Sequence, residues 1–261
     1  MLSANNKIDL IYLVHNRKEM TCASLLALEA NTNWSRVASL RFYLDGNEDG
    51  VHAIAETFGS LRVVAGLAKF ERGVHGSPVQ AMQNYLWTPG TPVFAKLDND
   101  AMVPPGWLDR CLAVMDRAPE LDLLGIEPPL SRTTPPWARG RRERVPEEHP
   151  ELWRAQNGVG YAQCPYIGGI GLMRRRAFTG HAAMKPHSIY GGFTDWQVRE
   201  PAVVKGWILP TMPVFLLDRL PIEPWRSLSQ KYIAKGWQRP WSVYRPEDSW
   251  LWNWWFGARK T

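Results

Sequence analysis

Three times within the first 100 residues a short apolar run stops abruptly at a polar cluster. Ile8 to Val14 (Ile-Asp-Leu-Ile-Tyr-Leu-Val) runs into His15-Asn16-Arg17, Leu40 to Leu44 into Asp45-Gly46, and Pro92 to Leu97 into Asp98-Asn99-Asp100. Runs of this length, rich in β-branched and aromatic residues and bounded by turn formers, read as buried strands. A further strand is expected at Leu61 to Ala65. Between the strands lie stretches of helical spacing: Met20 to Ala30, Val51 to Phe58, and Ser77 to Leu86, with Ser77 at the cap and Pro78 in the first turn. Strands alternating with helices predict an α/β fold, a mixed but mainly parallel sheet flanked by helices on both faces. Ligands of such sheets sit beyond the carboxyl ends of the strands, where all three polar clusters fall.

The second half is less regular. Residues 128–150, rich in Pro and Arg, read as a loop. Tyr166 to Met173 combines a strand pattern with glycines that allow close backbone approach, and Val214 to Leu217 reads as a last strand. A hydrophobic content of 45% with 11% aromatics in 261 residues supplies a core and rules out disorder. No stretch approaches the roughly 18 apolar residues of a membrane span. The polar start, Met1 to Lys7, lacks the pattern of a secretion signal. Cys22, Cys111 and Cys164 form no disulfide framework and no Cys-x-x-Cys site, so a reducing cytoplasm is the expected compartment. Phosphate-loop and dinucleotide fingerprints are missing, which disfavours kinases, ATPases and dehydrogenases.

The net charge of +6 is unevenly spread. Between Arg132 and Arg144 five arginines face only Glu143, and from Trp225 to Thr261 seven Lys or Arg face Glu247 and Asp248. Such patches attract polyanions: nucleic acid, anionic lipid or phosphorylated glycans. The tail also holds seven of the fourteen tryptophans. It interleaves them with bases, as in Lys235-Gly236-Trp237-Gln238-Arg239-Pro240-Trp241. Aromatic faces stack on bases or sugars while cations follow phosphates. Packing of the tail onto the domain is the alternative use.

Asp98-Asn99-Asp100 carries the most specific chemistry. Two carboxylates one residue apart on a turn suit a hard divalent cation that also binds phosphate oxygens. The chain resembles a family-2 type glycosyltransferase of the GT-A (Rossmann-like) fold, and the resemblance rests on an ordered set of motifs over about residues 8–220. These are His15-Asn16-Arg17, Asp45-Gly46, Gly73 to Asn84, the Asp-x-Asp followed by Pro104-Pro105-Gly106-Trp107-Leu108, Gly168-Gly169-Ile170-Gly171 with the basic turn Arg174-Arg175-Arg176, and Gly191-Gly192-Phe193-Thr194-Asp195-Trp196. Two positions depart from the pattern. Thr194 replaces the first acid of a Glu-Asp pair, and no His follows His187 to serve as a downstream ligand. Asp218 is either its substitute or a surface turn acid.

The resemblance implies a metal-dependent inverting transfer of a sugar from a nucleotide-diphosphate donor, with a bias to UDP and to Mn or Mg. His15, Asn16, Arg17, Asp45, Asn84, Asp98, Gly168 and Gly169 would bind the donor. Asp98, Asp100 and Asp218 would hold the metal. Asp195 would be the general base, or else an N-cap of the segment beginning at Trp196. The organisation expected is a domain over 1–224, its nucleotide-sugar half at 1–110 and acceptor half at 111–224, with a basic Trp-rich extension at 225–261. Acceptor contacts are expected from Arg139, Arg141, Arg142, Trp196, Trp237, Arg239 and Trp241. The acceptors that suit them are hydroxymethylated bases in DNA, as for a phage-type enzyme, or a lipid-linked or surface polysaccharide at an anionic membrane. A non-catalytic nucleic-acid or carbohydrate binder on the same fold is the reading from another class.

Overall fold

The computed structural model describes residues 7–64, 68–72, 78–126, 153–156, 159–164, 167, 170–178, 197, 200, 202–208, 215–220 and 223–236. The amino-terminal half alternates strictly. Strand β1 (Ile8–His15) leads into helix α1 (Lys18–Asn31), β2 (Val37–Asp45) into α2 (Val51–Val64), β3 (Ala68–Arg72) into α3 (Pro78–Trp87), and β4 (Val93–Asp98) into the short β5 (Ala101–Met102) and α4 (Trp107–Arg117). Then come β6 (Leu123–Gly125), β7 (Trp153–Gln156), β8 (Val159–Gln163), β9 (Gly171–Arg174), β10 (Lys205–Ile208), β11 (Phe215–Leu216) and helix α5 (Trp225–Ala234).

Nine described strands form one sheet in the order β3-β2-β1-β4-β9-β6-β10-β8-β7. The first four run parallel, and β9 lies antiparallel between β4 and β6. The architecture is therefore mixed α/β, with four parallel amino-terminal strands and a second parallel pair, β6 and β10, beyond β9. β1 alternates between the two faces. Ile8, Leu10, Tyr12 and Val14 join Leu25 and Leu28 of α1, Val51 and Ala55 of α2 and Trp107 of α4, whereas Ile11 joins Ala81, Met82 and Tyr85 of α3. A strand covered on both faces needs an almost unbroken apolar sequence, which is why β1 was legible.

The third strand is a correction. It is not at Leu61 to Ala65, because α2 continues through Leu61 to Val64, and β3 begins at Ala68. A five-residue run such as Leu61 to Ala65 does not distinguish a strand from the end of a helix. The true strand is the sheet edge, Ala-Lys-Phe-Glu-Arg, charged as edges tend to be and therefore unlike a buried strand. Its Phe70 stacks on Phe42 of β2 with ring centroids 5.1 Å apart. Of the expected Tyr166–Met173 strand, β9 covers Gly171 to Met173 and extends to Arg174, while Ile167 and Ile170 lie outside it. The Arg174–Arg176 turn closes helix ends. Arg174 donates to the carbonyls of Met115 and Ala118 at the end of α4, and Arg175 to those of Leu86 and Thr88 at the end of α3. Cationic side chains satisfy the unpaired carbonyls and the negative dipole end there. Residues 128–150 lie outside the described residues.

Candidate active site

β1 lies between β2 and β4: the chain steps outward from β1 to β2 and β3 on one side, then crosses back to β4 on the other. The crevice opened at such a switch point is the ordinary ligand site of open α/β sheets. At its floor the chain leaves β1 through two left-handed residues, Asn16 (φ 45) and Arg17 (φ 63). Non-glycine residues hold this conformation only where the surroundings over-determine it. They do so here. Asn16 Oδ1 accepts from the Glu48 N–H at 2.9 Å, and Asp49 Oδ2 accepts from the Lys18 N–H at 2.7 Å, closing the start of α1. Gly46 (φ 62) admits this contact, since a Cβ there would lie 2.8 Å from His15 Nδ1. His15 Nδ1 itself lies 3.5 Å from Asp45 Oδ2, with both side chains part-exposed.

From the other side Asn99 pins the same turn. Its Nδ2 donates to the Asn16 carbonyl at 2.8 Å and to Thr21 Oγ1 at 2.7 Å, and its Oδ1 accepts from Arg17 Nη2 at 2.7 Å. The middle residue of Asp-x-Asp, the one the motif leaves unspecified, is thus its structural anchor.

The acids converge on Arg17. Its Nη1 lies 3.0 Å from Asp100 Oδ2 and 3.4 Å from Asp218 Oδ2, with both aspartate side chains only 4% exposed. Asp218 is not a surface acid. β11 pairs antiparallel with β5, and the Leu217 N–H donates to the Asp100 carbonyl at 2.9 Å, so the residue after Leu217 comes in beside the motif. Burial by itself would lower the pKa of Arg17, but Asp100, Asp218 and Asp98 outweigh it and hold the guanidinium more firmly protonated than usual. Asp98 is separate. Its Oδ1 lies 2.7 Å from Nζ of the buried Lys96, and its side chain stays 31% exposed. Two carboxylates meeting at one cation fit a divalent ion that takes its remaining ligands from phosphate and water. Among the described residues no cluster of three or more His, Cys, Asp or Glu is arranged to hold a metal alone.

Helix α5 braces this arrangement. Ser229 Oγ donates to the Asp218 carbonyl at 2.9 Å, the Tyr232 hydroxyl donates to Glu19, and Lys231 Nζ reaches Glu19 at 3.2 Å. Met20, Leu217, Leu220 and Tyr232 form a small apolar cluster beneath these bonds.

His15, Asn16, Arg17, Asp45, Asp98, Asp100 and Asp218 therefore share one strand-end region. Asn84 sits half-buried on α3, and among the described residues no hydrogen bond or ion pair joins it to them. Gly168, Gly169, Asp195, Trp196, Arg139, Arg141, Arg142, Trp237, Arg239 and Trp241 lie outside the described residues. Their flanks are informative. β9 runs antiparallel to β4 with Gly171 opposite Lys96, so Ile170 and Ile167 continue toward the acidic end of β4. The Ile167 N–H is held by Gln197 Oε1 at 2.7 Å. Sequence reading missed Asn99, Lys96, Thr21 and Gln197. Only Lys96, a charge inside an apolar strand, carried a visible signal.

No protein-family model matches the chain, and no curated protein matches it in sequence. Solved structures do match its fold. GalNAc-T7, solved with UDP, GalNAc and Mn2+, superposes with a TM-score of 0.54 and 13% identity over 80% of this chain and 42% of that one. S. aureus TarS 1-349 superposes with a TM-score of 0.56 and 12% identity over 80% and 60%. The mannosyltransferase PcManGT from Pyrobaculum calidifontis, solved with GDP-Man and Mn2+, gives 0.54 and 11% over 80% and 55%. The chain thus spans between 42% and 60% of the length of these proteins, and at such identity the likeness establishes the fold, which is of the GT-A type.

Proposed function

We propose that this chain is a glycosyltransferase that moves a sugar from a nucleotide-diphosphate donor, UDP-linked by preference, to an acceptor hydroxyl with inversion. The observation that carries the reading is the convergence of Asp100 and Asp218 on one cationic point at the switch-point crevice. GalNAc-T7 and PcManGT, which have this fold, are described with Mn2+ and with UDP or GDP-Man, and support the same chemistry here. Asp100 and Asp218 would hold Mn2+ or Mg2+, with Asp98 beside them. The bound ion would supply the charge that offsets the departing diphosphate.

The chain's own residues do the rest. Asp45 and His15 line the neighbouring strand ends and would meet the nucleoside. Asn16 and Asn99 hold the backbone of the turn between β1 and α1 in place, so that turn is preorganised for the donor. Gly168 and Gly169 allow the backbone to approach donor or acceptor. Asp195 takes the proton from the acceptor hydroxyl in a single displacement.

For the acceptor, the basic Trp-rich tail and the Arg139–Arg142 stretch favour hydroxymethylated bases in DNA, reached by stacking and phosphate contacts. The test is incubation with labelled UDP-sugars and Mn2+, with and without hydroxymethylated DNA. Donor turnover abolished in Asp100→Asn and label transferred to DNA support both parts. Label on lipid-linked glycan instead of DNA replaces the acceptor. Absence of donor turnover with any divalent ion sinks the enzyme reading in favour of a binder.

A further inference from the structure

The position between Asp100 and Asp218 is already filled by a positive charge belonging to the chain. Arg17 Nη1 sits 3.0 Å and 3.4 Å from the two carboxylates, and its side chain is only 13% exposed. The placement is built. The left-handed backbone at Asn16 and Arg17 aims the side chain inward, and Asn99 receives its second nitrogen. Two buried carboxylates without a counter-charge would be strongly unfavourable, and the guanidinium removes that cost. A divalent ion bound to the same two oxygens, at roughly 2.0–2.3 Å from each, has no room beside Nη1 and would be repelled by it.

We propose that Arg17 is an intramolecular competitor of the divalent ion: it neutralises the Asp100–Asp218 pair in the metal-free protein and must leave before the ion can bind. This rests on reading the acid pair as the metal site and goes beyond it. The two cations exclude each other, so the apparent metal affinity falls by the fraction of molecules in which Arg17 is withdrawn. The Arg17 side chain is not wholly enclosed, which leaves it a way out without refolding of the loop.

The test titrates Mn2+ alone, with no nucleotide, into the wild-type chain, Arg17→Gln and Arg17→Lys, by calorimetry and by paramagnetic resonance, with melting curves in parallel. Removing the competing charge is expected to tighten Mn2+ binding about tenfold or more in Arg17→Gln. Arg17→Lys stays near wild type. Arg17→Gln also melts lower than wild type without metal, and the gap closes as Mn2+ is added. Equal Mn2+ affinity in wild type and Arg17→Gln overturns the competition while leaving the metal site standing. Mn2+ bound by none of the three removes the metal site itself, and the competition with it. Should Arg17→Gln not fold, wild-type crystals soaked in Mn2+ decide. An anomalous peak between Asp100 and Asp218 with the guanidinium withdrawn supports the proposal, and a peak there with the guanidinium still bonded to both acids overturns it.

Discussion

Asn99 illustrates how one side chain can set a site without contributing chemistry to it. It is 2% exposed and spends its amide on the loop after β1 and its carbonyl on Arg17. Asp in its place would make the motif read as a richer acidic cluster, yet a carboxylate cannot donate. The Thr21 hydroxyl could turn and donate to it, but the Asn16 carbonyl would lose its donor and face an anion, and an unsatisfied buried group costs about 1–3 kcal/mol, more for charged ones. Asn99→Asp is expected to lose about 3 kcal/mol, read as a lower urea midpoint. An unchanged midpoint would mean that the loop is held by something else.

At the scale of elements, the glycines of β9 and its neighbours are packing residues. Gly171 lies between β4 and β6, opposite Lys96 on one side and Gly125 on the other. A Cβ there would lie 2.3 Å from the Leu124 carbonyl oxygen, which is backbone and cannot swing away. Gly171→Ala is expected to destabilise by about 3 kcal/mol, at the upper end of ordinary overpacking. Gly106 is the control. Its φ is 69, but a methyl group added there would meet nothing within 4 Å, so Gly106→Ala carries only the conformational cost of about 1 kcal/mol. Equilibrium denaturation of both variants checks the contrast. The glycine pattern was visible in sequence, but the carbonyl it accommodates was not.

For the whole molecule, a second buried polar network closes the opposite end of the sheet. Asp9, 3% exposed at the start of β1, accepts from Ser39 on β2, from Tyr85 on α3 and from the Thr91 N–H before β4. Burial would raise its pKa, but these hydrogen bonds and Arg41 outweigh it, and the carboxyl lies below its usual value. The unfolded chain therefore binds this proton more readily. The stability contributed is complete above pH about 4 and drains as pH falls through the lower folded value. Asp9→Asn is expected to lose about 2 kcal/mol at neutral pH, with the gap to wild type narrowing below pH about 4. Urea midpoints measured across that range would show parallel curves if Asp9 were not the responsible group. No described helix is long and apolar enough to cross a membrane.

Much of this protein was written locally. The two-face apolar runs of β1, β2 and β4, the helices between them, and the polar clusters at their ends follow from short-range periodicity, and so does the expectation of a switch-point site. Edge strand β3 and strands β6, β7, β8 and β10 were not legible, because charge and brevity hide them, whereas β9 and β11 overlap the expected Tyr166–Met173 and Val214–Leu217 strands. Nor was the meeting of Arg17 with Asp100 and Asp218, residues 83 and 201 positions away along the chain. Spacing in sequence says nothing about such pairs. They depend on β1 lying next to β4 and on β11 adding to β5, and only packing of the whole sheet decides which strand lies beside which.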